Sequence, residues 1–238
     1  VTLPNEEVKE LLAERFVVGW RNIERDAHVG ISHGYRCDQS AVGTTNGAGG
    51  RNVQFVVLAT DLTVLHVLPG FWHADDLLDE LRLGLELHEL HRSEDHTAAQ
   101  KLQLFTSLHR SFLRRLPEGA LERSRWQGFD EWEESQRGTM APRDTFSLDE
   151  QGQPVRDQAG RARLKPVVQV VHERLLAQPF RPFGEFDMEA LVDYGRPFYD
   201  NNEGLDKGRQ FPRAVAANQQ RAKELAKAER ARKTGRRR

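Results

Sequence analysis

Asn52-Val-Gln-Phe-Val-Val-Leu-Ala-Thr60, then Asp61-Leu62, then Thr63-Val-Leu-His-Val-Leu68 is the stretch whose reading decides the fold. Both flanking runs are rich in β-branched residues, and Asp61-Leu62 is short enough to be a tight turn, so the pattern predicts a β-hairpin. Pro69-Gly70 stops the second strand. An amphipathic helix is predicted from Ala74, with Leu77, Leu78, Leu81 and Leu85 as its apolar stripe. Asp75 and Asp76 fall in its first turn, and His88 and His91 near its end, where each sign of charge suits the helix dipole. Strand, turn, strand and a helix that folds back make an α/β unit.

Upstream of the hairpin, Asn5 reads as an N-cap, with Glu6 and Glu7 in the first turn of a helix ending near Arg15. Val8, Leu11 and Leu12 share one face of that helix, and Phe16-Val-Val-Gly-Trp20 reads as a further strand. Arg25 to Arg51 has no helical period and contains the run Gly43-Thr-Thr-Asn-Gly-Ala-Gly-Gly50, so it reads as a long loop. Loops beyond ~12–15 residues in compact domains are usually functional or disordered.

Downstream, Thr97 to Leu116 predicts a helix carrying Leu102, Phe105, Leu108, Phe112 and Leu116, stopped by Pro117. Leu121 to Glu134 continues as helix with Trp126, Phe129 and Trp132 in a stripe that reads as core. Ser135 to Lys165 has few apolar residues and reads as a linker, with turns at Gln151-Gly152 and Ala159-Gly160. Val167 to Leu176 fits a helix, and Asp187 caps one or two further turns within an aromatic, proline-rich stretch. The implied plan is an α/β domain over 1–92, a helical extension over 93–134, a flexible linker over 135–165, a small helical and aromatic segment over 166–212, and a basic tail over 213–238 that is helical or disordered.

Composition narrows the function classes. Of 238 residues 38% are apolar and 30% charged, which predicts a modest core. A net charge of −1 gives no global field for nucleic acid or membrane. Charge is nevertheless uneven: Asp75 to Asp95 is mostly acidic, and Arg221 to Arg238 is strongly basic, a solvated helix in one reading and a polyanion contact in the other. The single cysteine, Cys37, excludes an internal disulfide and a multi-cysteine zinc site. No apolar run approaches the ~20 residues that span a bilayer. The chain begins with Val1 rather than Met, which reads as a processed product, a fragment or an unusual start, and leaves compartment open between cytoplasm and export.

Cys37 and His33 are the candidate catalytic pair, because a histidine in the same loop can lower a thiol pKa. The alternative is a loop cysteine with no role. Gly43 to Gly50 lacks the Lys and Ser/Thr of a phosphate-binding loop and precedes a strand, so it predicts close backbone approach or positive φ rather than nucleotide binding. His28, His33, His66 and His73 with Cys37 match no metal-ligand spacing; His66 lies mid-strand, and His73 is the N-cap of the following helix. Asp200-Asn-Asn-Glu-Gly-Leu-Asp206 misplaces the glycine of a calcium loop and lacks its closing glutamate. No cofactor or metal is expected from these patterns.

With these residues in place, a family resemblance emerges. Asn5 to Trp20 resembles the helix end and second strand of bacterial thioredoxin-like proteins, Val53 to Trp72 resembles their closing hairpin, and Ala74 to Glu89 their last helix. The match covers roughly the first ninety residues and names nothing for 93–238. It implies a thioredoxin fold whose first strand and Cys-x-x-Cys helix would lie before Val1, where a Cys-x-x-Cys or a selenocysteine codon would supply the redox chemistry. Cys37 does not replace that motif, because it follows the second strand, and Gly49-Gly50-Arg51 stands where the family has a cis-proline. The expectations are therefore a thioredoxin-like protein lacking the dithiol in this chain or, alternatively, a non-enzymatic binding or scaffold protein with another protein as partner.

Overall fold

The computed structural model describes residues 2–23, 25–29, 44–138 and 143–196. Helix α1, Glu6–Arg15, starts where Asn5 Oδ1 accepts the Val8 backbone N–H at 3.2 Å, and Val8 is fully buried. The predicted strand Phe16–Trp20 does not form: among the described residues these positions carry no regular structure and pair with no strand. Val17, Val18 and Trp20 are 105%, 66% and 91% exposed, so the β-prone residues have no pleated neighbour to cover them.

The hairpin forms as expected. Strand β1, Gln54–Leu58, pairs antiparallel with β2, Val64–Pro69. Its connection is not the two-residue turn. Ala59 N–H donates to Thr63 O at 2.9 Å across three residues, and Leu62 takes a left-handed φ of 65°. Asp61 Oδ1 accepts the Thr63 N–H at 3.0 Å, and His91 lies 3.0 Å from Asp61 Oδ2. The register slips between Val57, opposite His66, and Leu58, opposite Val64, so Leu65 is a bulged extra residue. Without it, strict alternation would send Leu65 away from the face that His66 occupies.

The glycine-rich loop is a close approach of backbone, as its composition suggests. Gly47 N–H donates to Phe71 O, Phe71 N–H donates to Ala48 O, and Gly70 at φ +81° would set a Cβ 2.5 Å from Ala48 O. Helix α2, Ala74–Arg92, covers the β1–β2 face with Leu77, Leu78, Leu81, Leu83, Leu87 and Leu90 buried; Leu85 is only half-buried. His73 holds the N-cap position, but its side chain makes no capping bond and instead donates to Thr44 O at 3.0 Å.

Helix α3, Ala98–Arg115, opens on a capping box made by Thr97 and Gln100, and it buries Phe105 while Leu102 is exposed. The helix predicted over Leu121–Glu134 is two: α4, Glu118–Arg123, and α5, Gly128–Gly138. The break has a cause. Arg123 O and Ser124 O accept the N–H groups of Asn46 and Val167, so they serve tertiary contacts rather than a helix ladder. Of the aromatic stripe, Trp126 packs inward and donates to Lys165 O at 2.6 Å, whereas Phe129 and Trp132 are exposed.

The stretch predicted as a flexible linker, 135–165, finishes α5 and then, from Arg143, forms a hydrogen-bonded ladder. Ser147, Val155 and Arg163 link in a ring of backbone bonds of 2.8 Å, and Thr145 O accepts from Lys165 N. Asp149 and Asp157 carboxylates accept the N–H groups of the two glycine turns, at Gly152 and Gly160. Phe146 is buried against Gly138. Local carboxylate-to-backbone bonds and one anchoring aromatic thus order a segment whose composition is mostly polar. Helix α6, Val167–Leu175, and the short α7, Met188–Leu191, complete the described residues.

The core has two parts. On the α1, α2 and α3 side lie Leu65, Leu68, Trp72, Leu77 and Phe105; on the other lie Val64, Val67, Val171, Leu175, Leu191 and Tyr194. Among the described residues no helix is long and apolar enough to cross a membrane.

Two outcomes test this description. Amide hydrogen exchange at Ser147, Val155 and Arg163 is expected to be protected well above that of exposed coil, and exchange at coil rates would restore the linker. For the hairpin, the Thr63 backbone N–H foremost, with His91, holds Asp61 down to about 2. Its contribution to stability is full above the unfolded carboxylate pKa of ~4 and lost as pH falls through 2. Because Asp61 is largely exposed and other carboxylates are also held low, Asp61→Asn is expected to reduce the acid limb of a denaturation-versus-pH profile only in part; an unchanged limb would place the titration elsewhere.

Candidate functional site

Four elements each deliver one polar side chain to a single sealed point. β2 supplies His66, α2 supplies Glu80, α3 supplies His109 and α6 supplies His172, each at most 1% exposed. The strand bulge beside His66 keeps that ring on the α2 side. The other three residues share helical faces with apolar neighbours: Glu80 with Leu77, Leu83 and Gly84, His109 with Phe105 and Phe112, and His172 with Val168 and Leu175.

His66 Nε2 lies 2.7 Å from Glu80 Oε2. His172 Nε2 lies 3.1 Å from the same oxygen and 3.2 Å from Oε1. With the carboxylate ionised, both rings donate to it. His172 Nδ1 is 2.9 Å from His109 Nδ1, so one of these nitrogens donates to the other. Phe112 stacks on the His172 ring with centroids 4.9 Å apart, and Phe105 lies against His109 at 4.4 Å. His66 Nδ1 and His109 Nε2 are buried with no hydrogen-bond partner.

Electrostatics set the protonation. Burial raises the Glu80 pKa, but His172 and His66 outweigh it and bring the carboxyl down to about 2. Burial pushes His66 below the ordinary imidazole range despite Glu80, and burial with the neighbouring rings pushes His109 down as well. Glu80 is therefore a buried anion whose ion-pair partners among the described residues are the two imidazoles. A bare buried carboxylate costs several kcal/mol, so its charge needs either a proton on a ring or a cation. His66, Glu80 and His172 each present a ligand-type atom, all within 4.8 Å of one another.

A second polar cluster surrounds Asp193. Arg51, Arg137 and Arg143 each place a nitrogen 3.1 Å from its carboxylate, and Arg143 also pairs with buried Glu134. Burial raises the Asp193 pKa, but these guanidiniums prevail and lower it. An open cleft of about 760 Å³ lies beside this network, lined by Arg143, Asp144, Arg174, Arg181, Glu185 and Asp187. Arg143 and Arg174 are taken up by carboxylates, Arg174 with Asp144 at 2.7 Å. The cleft does not reach the histidine cluster.

The histidines singled out in the sequence are not brought together. His28 lies 3.1 Å from the Gln54 side chain, His73 is held by Thr44, and only His66 enters the cluster. Cys37 and His33 lie outside the described residues, as do the 200–206 segment and the basic tail over 213–238. Glu80, His109 and His172 were missed because they are scattered over three helices with no shared spacing. The available signal was a polar residue standing in register with an apolar stripe.

No family model matches this chain, and neither does any curated protein or solved structure.

Glu80→Ala leaves two imidazole N–H groups unpaired in the core and is expected to cost ~3–5 kcal/mol in chemical denaturation. Glu80→Gln keeps an acceptor and is expected to cost less. Equal losses in the two variants would show that charge and hydrogen bonding at Glu80 do not matter.

Proposed function

We propose that this chain is a thioredoxin-like protein acting as a non-enzymatic binding scaffold, with another protein as its partner. The observation that carries this reading is where the chemistry-bearing groups sit. The acid–base cluster of the described residues is sealed in the core at 0–1% exposure. General acid–base catalysis needs the group within reach of a substrate proton, which a sealed cluster does not offer. The hairpin followed by α2 supports the thioredoxin-like part of the proposal. The packing of α3 and α6 into the same core supports a platform enlarged for docking rather than for turnover. Val17, Val18 and Trp20 add an exposed apolar strip of the kind a partner covers.

A disulfide-exchange assay driven by dithiothreitol tests the proposal, using the full chain and Cys37→Ser side by side. Both are expected to match the uncatalysed rate. An acceleration that disappears in Cys37→Ser would make the protein a thiol enzyme. In the same samples, joint replacement of Val17, Val18 and Trp20 by Ser is expected to leave the denaturation midpoint nearly unchanged, since exposed substitutions stay within about 0.5 kcal/mol each. A large loss would show that the strip packs on its own core and is not free for a partner.

A further inference from the structure

We propose that His66, Glu80 and His172 form a binding site for one divalent transition-metal ion of the zinc class, buried between β2, α2 and α6. Two imidazole nitrogens and a carboxylate oxygen are a donor set suited to zinc, whose Zn–N and Zn–O bonds of ~2.0–2.2 Å place tetrahedral ligand atoms ~3.3 Å apart. Here the Glu80 contacts are 2.7 Å to His66 and 3.1 Å to His172, and all three atoms lie within 4.8 Å.

Charge argues in the same direction. Among the described residues Glu80 pairs with no Lys or Arg, so a divalent cation would neutralise a carboxylate that is there matched by imidazoles. Binding requires the Nε2 protons now donated to Glu80 to leave the rings, so that the ion takes the Nε2 lone pair of each and each neutral ring carries its proton on Nδ1. His172 then donates that proton to His109 Nδ1, 2.9 Å away, which makes His109 a positioning residue behind a ligand.

The burial fixes the role. With each member at most 1% exposed, the ion would be sealed from substrate, and its effect would be to join a strand to two helices far apart in sequence. Loading should accompany folding, because no preformed site exists in the unfolded chain.

The experiment unfolds the full chain with chelator, refolds it with or without zinc, removes free metal and measures bound metal by mass spectrometry and Tm by calorimetry. One ion per chain and a Tm rise of about 5–10 °C at zinc well above Kd are expected. Refolding with cobalt(II) should give the intense visible absorption of a low-symmetry site. Glu80→Gln, which keeps a hydrogen-bond acceptor, should fold yet lose the metal, and His109→Gln should weaken binding about 10–100-fold without abolishing it. Wild-type chain that refolds metal-free with no zinc effect on Tm would overturn the proposal. So would Glu80→Gln or a His66→Gln/His172→Gln double variant retaining one ion. Circular dichroism on each variant separates metal loss from failure to fold.

Discussion

Glu80 holds two imidazoles against one carboxylate in the interior, and this contact governs how the distant parts of the chain meet. β2 and α2 are near neighbours in sequence, but His172 is 92 residues beyond Glu80. A Coulombic and hydrogen-bonded contact at 2.7–3.2 Å is far more sensitive to position than apolar packing, which tolerates small slides. The leucines and valines supply the driving force for burial; Glu80 specifies which face of α6 turns inward. The bulge at Leu65 serves the same end from the strand side, setting both Leu65 and His66 toward α2.

The second tie is the ion network around Asp193. It joins Arg51 at the start of the hairpin, Arg137 on α5 and Arg143 at the entry to the turn ladder. These groups are only partly buried, so each pair contributes modestly, and their value lies in converging on one carboxylate. Asp76 makes a comparable junction, taking two bonds from Arg123 and one from buried Asn46. The chain therefore uses carboxylates repeatedly as nodes between elements that apolar contact alone would leave loosely specified.

The local elements were largely legible in the sequence. Asn5 as a cap, the hairpin, α2, α3, α6 and the Asp187 turn all follow from periodicity and capping, which act within a few residues. Three readings differ for tertiary reasons. Phe16–Trp20 has strand propensity but no strand beside it. The 121–134 helix is broken because Arg123 O and Ser124 O bond to Asn46 and Val167. The polar 143–165 stretch is ordered by Asp149, Asp157 and one buried Phe146 rather than by a hydrophobic pattern. The histidine cluster was illegible because its members come from four elements, and spacing along the chain carries no record of a meeting point in space. His66 looked like an ordinary mid-strand residue for the same reason.

The division between interior and exterior bears on what such a molecule can do. A buried polar cluster narrows the set of compact arrangements open to the chain, since every misaligned alternative leaves a carboxylate or an imidazole unpaired. A platform specified from within leaves its surface free of that task. Trp132 and Phe129 on α5, and Val17, Val18 and Trp20 beyond α1, lie exposed without contributing to either part of the core. Apolar side chains exposed singly are normal on a folded surface, whereas several close together, as Val17, Val18 and Trp20 are in sequence, suit a contact face. If the chain is the scaffold proposed above, Val17, Val18 and Trp20 are the face that a partner would cover.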